Sequence, residues 1–257
     1  MLKFSIYIAL KELSKKKAKI FLIILAVSAG VMTHIVTDAL MKGWEDDITD
    51  KTVNLWTAHL KILPQEEGKY IENITDLLDK VEKVSGIEGV SFRLNIEGLI
   101  LKGDNHFYCK IIGIDPKKEP KVTRLDKMLR SGSFLDQRDK NRVILGYRLA
   151  EHLGVSVGDK IFITFPNGLQ ENFEVKGIFC SDYYEFDRTF AFVPIDTVSR
   201  ILNKSGDASE ILIRLKDKEM TDVVKADIQK IIFGDKLKIM SWKELAGIYL
   251  CDVGDGR

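Results

Sequence analysis

Eighteen consecutive residues, Ile20 to Thr37, carry no charge, and beyond them the apolar positions break into short periodic runs. A helix rises about 1.5 Å per residue, so the uncharged run reaches about 27 Å, the depth of a bilayer's hydrocarbon core. Ten of its residues are Ile, Leu, Val or Phe, which together favour insertion by about 3–6 kcal/mol before Ser28, Gly30 and His34 take some back. The pattern predicts a transmembrane helix over residues 20–40, continuing as helix through Trp44 to about Lys51. Ahead of it, Leu2, Ile6, Ala9, Leu10 and Leu13 repeat at helical spacing, as in a short amphipathic segment over residues 1–19 that lies flat on the inner membrane surface.

Past the span the period shortens. Ala58–Leu63 reads as a strand ended by Pro64, and Ile74–Val84 as a helix stopped by Gly86. Val90–Leu101 and Phe107–Ile114 read as strands joined at Gly103-Asp104-Asn105. Val143–Leu145 reads as a buried strand and Tyr147–Leu153 as a helix closed by Gly154. Lys160–Phe165 and Asn172–Phe179 form a hairpin with Asn167-Gly168 at its tip. Phe190–Val193 is a strand and Ile195–Leu202 a helix. Glu210–Leu215, Thr221–Phe233 and Lys236–Met240 then repeat the strand-helix-strand order of residues 58–101. The fold class is therefore α+β: both ends of an exterior domain over residues 41–245 build one lobe, and a mostly β insertion of about residues 102–206 builds another.

Charge gives the span a direction. Of the net charge of +1, the first nineteen residues hold six lysines against one glutamate, which leaves the rest mildly acidic. By the positive-inside bias, Lys11, Lys15, Lys16, Lys17 and Lys19 set the N-terminus in the cytoplasm and the bulk of the chain outside a cell membrane. A cleaved signal peptide is the competing reading, because Ala26-Val27-Ser28 resembles a cleavage site. Against it, Val31, Met32, Ile35 and Val36 continue the apolar run beyond the cut. The acidic remainder gives no basic face for nucleic acid, so no nucleic-acid partner is expected. Cys109, Cys180 and Cys251 are too few for a disulfide scaffold; Cys109 and Cys180 can pair in an oxidising compartment or remain isolated thiols.

Catalytic patterns are few. Gly154-Val155-Ser156-Val157-Gly158 matches the G-x-S-x-G of serine hydrolases, but the expected helix precedes it and the expected strand follows, the reverse of a nucleophile elbow. All four histidines, His34, His59, His106 and His152, come before Ser156. The sequence contains no H-E-x-x-H, C-x-x-C or G-x-x-x-x-G-K-[ST], so no enzyme activity, metal site or cofactor is expected. His34 lies four residues before Asp38, on the same helix face, where a wetted or paired histidine is expected.

Several segments together carry a family resemblance. Ile111-Ile112-Gly113-Ile114-Asp115-Pro116 is followed by Lys118-Glu119, by Leu129-Arg130-Ser131-Gly132-Ser133-Phe134-Leu135, and by Val143-Ile144-Leu145-Gly146-Tyr147-Arg148-Leu149-Ala150. Leu153-Gly154-Val155-Ser156-Val157-Gly158-Asp159 and Phe173-Glu174-Val175-Lys176-Gly177-Ile178-Phe179 complete the order. The combination resembles the permease subunits of FtsX, LolC/LolE and MacB type ABC transporters. The resemblance implies family-motif turns at Gly113, Asp115, Pro116, Gly132, Gly146, Gly154, Gly158 and Asp159. It also implies a two-lobed exterior domain, Porter-like and Sabre-like, and three further membrane helices. As partners it implies a cytoplasmic ABC ATPase subunit, a second permease subunit or the missing helices, and the lipid bilayer. The ATPase stroke would then be relayed to the outer face for lipoprotein or peptide traffic. Residues 246–257 are expected to be a truncated tail, because Ala246–Leu250 starts an apolar run that Cys251–Arg257 stops. A single-pass binding or sensing module without transport activity is the alternative.

Overall fold

The computed structural model describes residues 17–66 and 68–245, the side chains of 44–52 excepted. The expected surface helix before Lys17, with Lys11, Lys15 and Lys16, lies outside the described residues, as do the tail after Leu245 and Cys251. The chain divides between Ile48 and Thr49 into two compact units.

The first unit is dominated by helix α1 (Lys17–Thr52), whose Lys17–Gly43 stretch is long and apolar enough to cross a membrane, with mean hydropathy 2.3. Its apolar side chains from Phe21 to Met41 are exposed on every side, the distribution that suits a helix able to cross a membrane. His34 Nδ1 stands 3.4 Å from Asp38 Oδ2, one helical turn along.

In the second unit, a π-helical turn (Val53–Thr57) precedes β1 (Leu60–Pro64), α2 (Ile74–Val81), β2 (Ile87–Lys102) and β3 (Asn105–Ile114). Next come α3 (Glu119–Val122), a 3-10 turn (Leu125–Met128), β4 (Leu129–Gly132), β5 (Arg142–Gly146) and α4 (Tyr147–Leu153). They are followed by β6 (Lys160–Thr164), β7 (Gln170–Phe179), α5 (Tyr184–Thr189), β8 (Phe190–Pro194) and α6 (Ile195–Leu202). The last elements are β9 (Glu210–Leu215), α7 (Thr221–Ile231) and β10 (Leu237–Ser241).

All ten strands share one sheet, ordered β10-β1-β9-β2-β3-β8-β5-β7-β4, with β6 bridging β2 and β7. The pairings β2–β3–β8–β5–β7–β6 and back to β2 close on themselves, so the β-rich lobe is a small barrel. Leu94, Ile111, Leu145, Ile163, Phe173 and Val193 are among the residues of its core. The α+β lobe is the open sheet β10-β1-β9-β2, and α2 and α7 cover one face of it through Leu78, Val81, Val224 and Ile228. The sixteen-residue β2 belongs to both lobes: Ile87–Arg93 pairs with β9 and Arg93–Lys102 with β3. The insertion therefore shares a strand with the lobe it interrupts.

Local differences from the sequence reading have physical causes. The first strand begins at Leu60, because Ala58 takes a left-handed φ of 51° that breaks the extended run, and Pro64 is its last residue on a pairing that needs no Pro N–H. Helices α2 and α7 stop at Val81 and Ile231, short of the periodic Val84 and Phe233. Three short elements carry no period that could announce them: α3, β4 and α5.

Candidate functional site: the buried charged junction at Trp56

Lys61 lies between apolar residues of β1, and Arg93 falls in the polar register Ser91, Arg93, Asn95, Glu97 of β2, so alternation alone would set both in solvent. In fact they are buried, at 2% and 0% exposure. Strand pairing explains their company: Lys61 lies beside Leu212, Leu212 beside Ser91, and Arg93 opposite Glu210, all on the sheet face turned away from α2 and α7. That face is roofed by the π turn and by α3, so four charged side chains, Lys61, Arg93, Glu119 and Glu210, share one dry layer.

Arg93 is the hub. Its Nε donates to Glu119 Oε1 at 3.1 Å, and its Nη2 pairs with the same oxygen. Nη2 also donates to the Leu55 carbonyl at 2.8 Å and Nη1 to the Trp56 carbonyl at 3.4 Å. Glu119 is completed by Ser91 Oγ at 2.9 Å and Thr123 Oγ1 at 3.1 Å. Lys61 Nζ donates to Glu210 Oε2 at 2.8 Å and stands 4.4 Å from the centre of the Trp56 ring. The other side of the layer is aromatic: Trp56 stacks on Phe190 at 4.6 Å, and Phe190 on Phe186 at 5.0 Å. A second guanidinium closes the π turn from outside, Arg214 donating to the Val122 carbonyl at 2.8 Å and to Asn54 Oδ1 at 2.9 Å.

Two cations and two carboxylates make this layer formally neutral, although burial lowers the Lys61 amine from its ordinary value against the pull of Glu210. Burial works against ionisation of Glu210, but the attraction of Lys61 and Arg93 prevails and holds its carboxyl below the usual glutamate range. At the edge of the junction, burial, with Arg214 adding to it, holds His59 below the ordinary histidine value of 6.5. Its Nδ1 accepts the Leu215 N–H at 2.9 Å, which fixes the proton of the neutral ring on Nε2. The layer's hydroxyl and amine groups, Ser91 Oγ, Thr123 Oγ1 and Lys61 Nζ, are taken up by Glu119 and Glu210. The layer can hold the backbone of Leu55 and Trp56 rigidly to two separate strands and a helix.

The motif residues fall in two groups. Asp115 and Pro116 belong to the junction: Asp115 Oδ1 accepts the Lys117 and Lys118 N–H groups at 2.8 and 3.3 Å, a turn that delivers Glu119 to Arg93. The same turn forms one wall of a groove of about 650 Å³ between α2 and α6, lined by Leu78, Phe92, Asp115, Lys118, Asp196 and Arg200. Gly113 faces that side too; a Cβ there would come within 2.9 Å of Val198 Cγ2, so its absence lets α6 lie close on β3.

The remaining motif residues shape the barrel and do not reach the junction. Gly132 and Gly146 are closely covered by the backbone of Lys176 and Asp187. Gly154 caps α4 with φ 66°. Gly158 has φ 92°, and Asp159 Oδ2 accepts the Ser156 N–H at 2.8 Å in the turn that enters β6. Lys17 and Lys19 stand at the start of α1. Cys109 and Cys180 are free thiols, Cys109 buried so that its thiol is pushed up. No group of metal-ligating side chains occurs among the described residues. Sequence reading missed Trp56, Lys61, Arg93 and Glu210; Lys61 and Arg93 look like polar alternates, and nothing within their own strands marks their burial.

Residues 20–231 match the family described as the MacB-like periplasmic core domain. The lipoprotein-releasing system transmembrane protein LolC of Xylella fastidiosa is 28% identical over 237 residues, covering 88% of this chain and 56% of that protein. Its namesake in Neisseria meningitidis is 25% identical, covering 92% and 60%. The chain thus spans little more than half the length of these curated relatives. Among solved structures, the periplasmic region of MacB from Actinobacillus actinomycetemcomitans superposes with TM-score 0.55 at 14% identity, covering 80% of this chain and 97% of that one. At that identity the likeness speaks for the fold.

Proposed function

This chain belongs to the MacB-like periplasmic core domain family of ABC transporter permeases, and on that footing we propose that it relays motion from a membrane helix to an exterior two-lobed domain. In this reading α1 anchors the chain, with the lysines before and at its start, Lys17 and Lys19 among them, on the cytoplasmic side. The bulk lies outside. A cytoplasmic ABC ATPase, acting with a second permease subunit or further membrane helices, supplies the stroke, and lipoproteins are the cargo class that the relatives' name suggests.

The observation that carries the reading is the grip of Arg93 on the Leu55 and Trp56 carbonyls while it holds Glu119 and faces Glu210. A displacement at the end of the π turn meets little slack there, because the four charged side chains are buried and each is engaged by a partner. It must pass to β2, which runs into the barrel, and to the Asp115–Glu119 turn, which borders the groove between α2 and α6.

Purification of the full chain from its native membranes in mild detergent tests this. A P-loop ATPase and additional membrane helices should accompany it, and trapping ATP should shift the tryptophan emission in a way lost in Trp56→Phe. A chain that purifies without an ATPase points instead to a stand-alone binding module. An ATPase that leaves Trp56 emission unmoved on nucleotide trapping rejects the junction as the relay.

A further inference from the structure

We propose that the barrel face built by β4, α4 and α5 docks an acidic segment of a partner polypeptide, with Arg130 and Arg188 as its carboxylate-binding groups. Along this face guanidinium groups and aromatic rings alternate. Arg130 lies 4.1 Å from the centre of the Tyr147 ring, and Arg148 lies 5.5 Å from the same ring and 5.9 Å from Tyr184. Arg188 lies 6.0 Å from Tyr184 and 5.1 Å from Phe107. All three arginines are exposed, and Tyr184 leaves 56% of its surface in solvent.

The arginines differ in what their edges do. Arg148 is engaged by Glu151 at 2.9 Å. Arg130 and Arg188 form no ion pair with any described residue, although Glu185 and Asp187 share a helix with Arg188. Glu185 makes no ion pair among the described residues, and Asp187 is buried, turned inward to accept the Ser181 N–H at 2.8 Å and Oγ–H at 2.7 Å. Arg130, 4.1 Å from the Tyr147 ring, and Arg188, 5.1 Å from that of Phe107, keep guanidinium N–H donors that no described acid takes up, and a guanidinium fork can hold a carboxylate in two parallel hydrogen bonds. Exposed tyrosine beside arginine is also the composition enriched at binding hot spots. The two open forks stand at separate points of the row, with Tyr147, Arg148 and Tyr184 between them. A polypeptide carrying more than one carboxylate can engage both arginines and cover the exposed Tyr184 ring that lies between them in the row.

The test uses the full-length chain in detergent and a fluorescein-labelled oligo-glutamate peptide read by anisotropy. Saturable binding that weakens as salt rises is expected, and Arg130→Gln combined with Arg188→Gln should weaken it about tenfold or more. Lys80→Gln on α2 should leave it unchanged. If the double glutamine variant does not keep the wild-type melting midpoint, Arg130→Lys and Arg188→Lys, which retain charge and lose the fork, should each still weaken binding severalfold. Wild-type chain without saturable binding, or folded variants with wild-type affinity, overturns the proposal. So does binding of short-chain phosphatidylglycerol at these arginines with none of the peptide, which would make the ligand a phosphate headgroup. None of these outcomes bears on the relay proposed for Trp56.

Discussion

Arg93 and Glu210 sit directly opposite each other on β2 and β9, yet their nearest charged atoms are 3.7 Å apart. The reason is competition. Glu119 reaches down from α3 and takes the Arg93 fork, while Lys61 comes across from β1 to Glu210 at 2.8 Å. The exchange links the layer's charged groups across three strands and a helix, and it makes each partner's loss a loss for the others.

Replacing Arg93 by Met should leave the Glu119 carboxylate buried without its cation, and the Leu55 and Trp56 carbonyls without the guanidinium N–H groups they accept. Removal of one partner from a buried charged pair costs about 3–5 kcal/mol. Chemical denaturation of the detergent-solubilised chain should show it as a lower midpoint, and Arg93→Met combined with Glu119→Gln should recover part of the loss, because the double variant strands no full charge.

Acid should destabilise the domain through His59. Its folded-state pKa is depressed, so the unfolded chain binds more protons just below the ordinary histidine value. Its contribution is therefore present above about pH 6.5 and is lost as pH falls through the folded value. Melting midpoints measured from about pH 7.5 down to about pH 5 should fall more steeply in the wild type than in His59→Gln, which has no proton to gain. Equal slopes would show that His59 is not the titrating group. Glu210, also depressed, acts in the same direction at lower pH, below the ordinary glutamate range.

Ala58 holds a left-handed backbone with its methyl buried against Val122 and Leu212. Such a conformation costs an L-residue about 1–2 kcal/mol, and glycine escapes that cost while adding up to about 1 kcal/mol of chain entropy. Because the buried methyl is lost as well, at about 0.8 kcal/mol, Ala58→Gly should melt close to the wild type. Ala58→Val should melt well below it, since a β-branched side chain worsens both the backbone and the packing.

Glycines of the family motifs should separate by their surroundings. A Cβ at Gly146 would fall 2.2 Å from the Asp187 carbonyl oxygen, and one at Gly132 the same distance from that of Lys176. At Gly158 φ is 92° but nothing lies within 4 Å. Gly158→Ala should cost about 1 kcal/mol from conformation alone, whereas Gly146→Ala and Gly132→Ala must displace backbone and should cost clearly more. Comparable melting midpoints for all three would contradict the close approach at Gly132 and Gly146.

Much of the fold was legible because its period is local. Tyr147–Leu153, Ile195–Leu202 and Glu210–Leu215 were each set by their own apolar spacing and end signals, and the structure keeps those limits. The junction was not legible, for the opposite reason. Lys61 and Arg93 read as ordinary polar alternates until the π turn and α3 are laid over them. The partners that make their burial tolerable lie 149 residues away in the case of Glu210 and 26 in that of Glu119. Barrel closure was hidden in the same way: β2 meets β6 only after β3, β4 and β5 have intervened, and a sixteen-residue strand read alone gives no hint that it has two sets of neighbours.

The position of β1 has a consequence for how the chain is made. Its neighbours are β9 and β10, which leave the ribosome only after the whole barrel has been synthesised. At about 5–20 residues per second that delay is on the order of ten seconds or more, during which Lys61 has no carboxylate and the apolar side of β1 no cover. The barrel, whose strands lie closer together in sequence, is complete first. The first strand to emerge is thus among the last to be secured, and a chaperone acting on nascent chains would find its exposed segment at Leu60–Pro64.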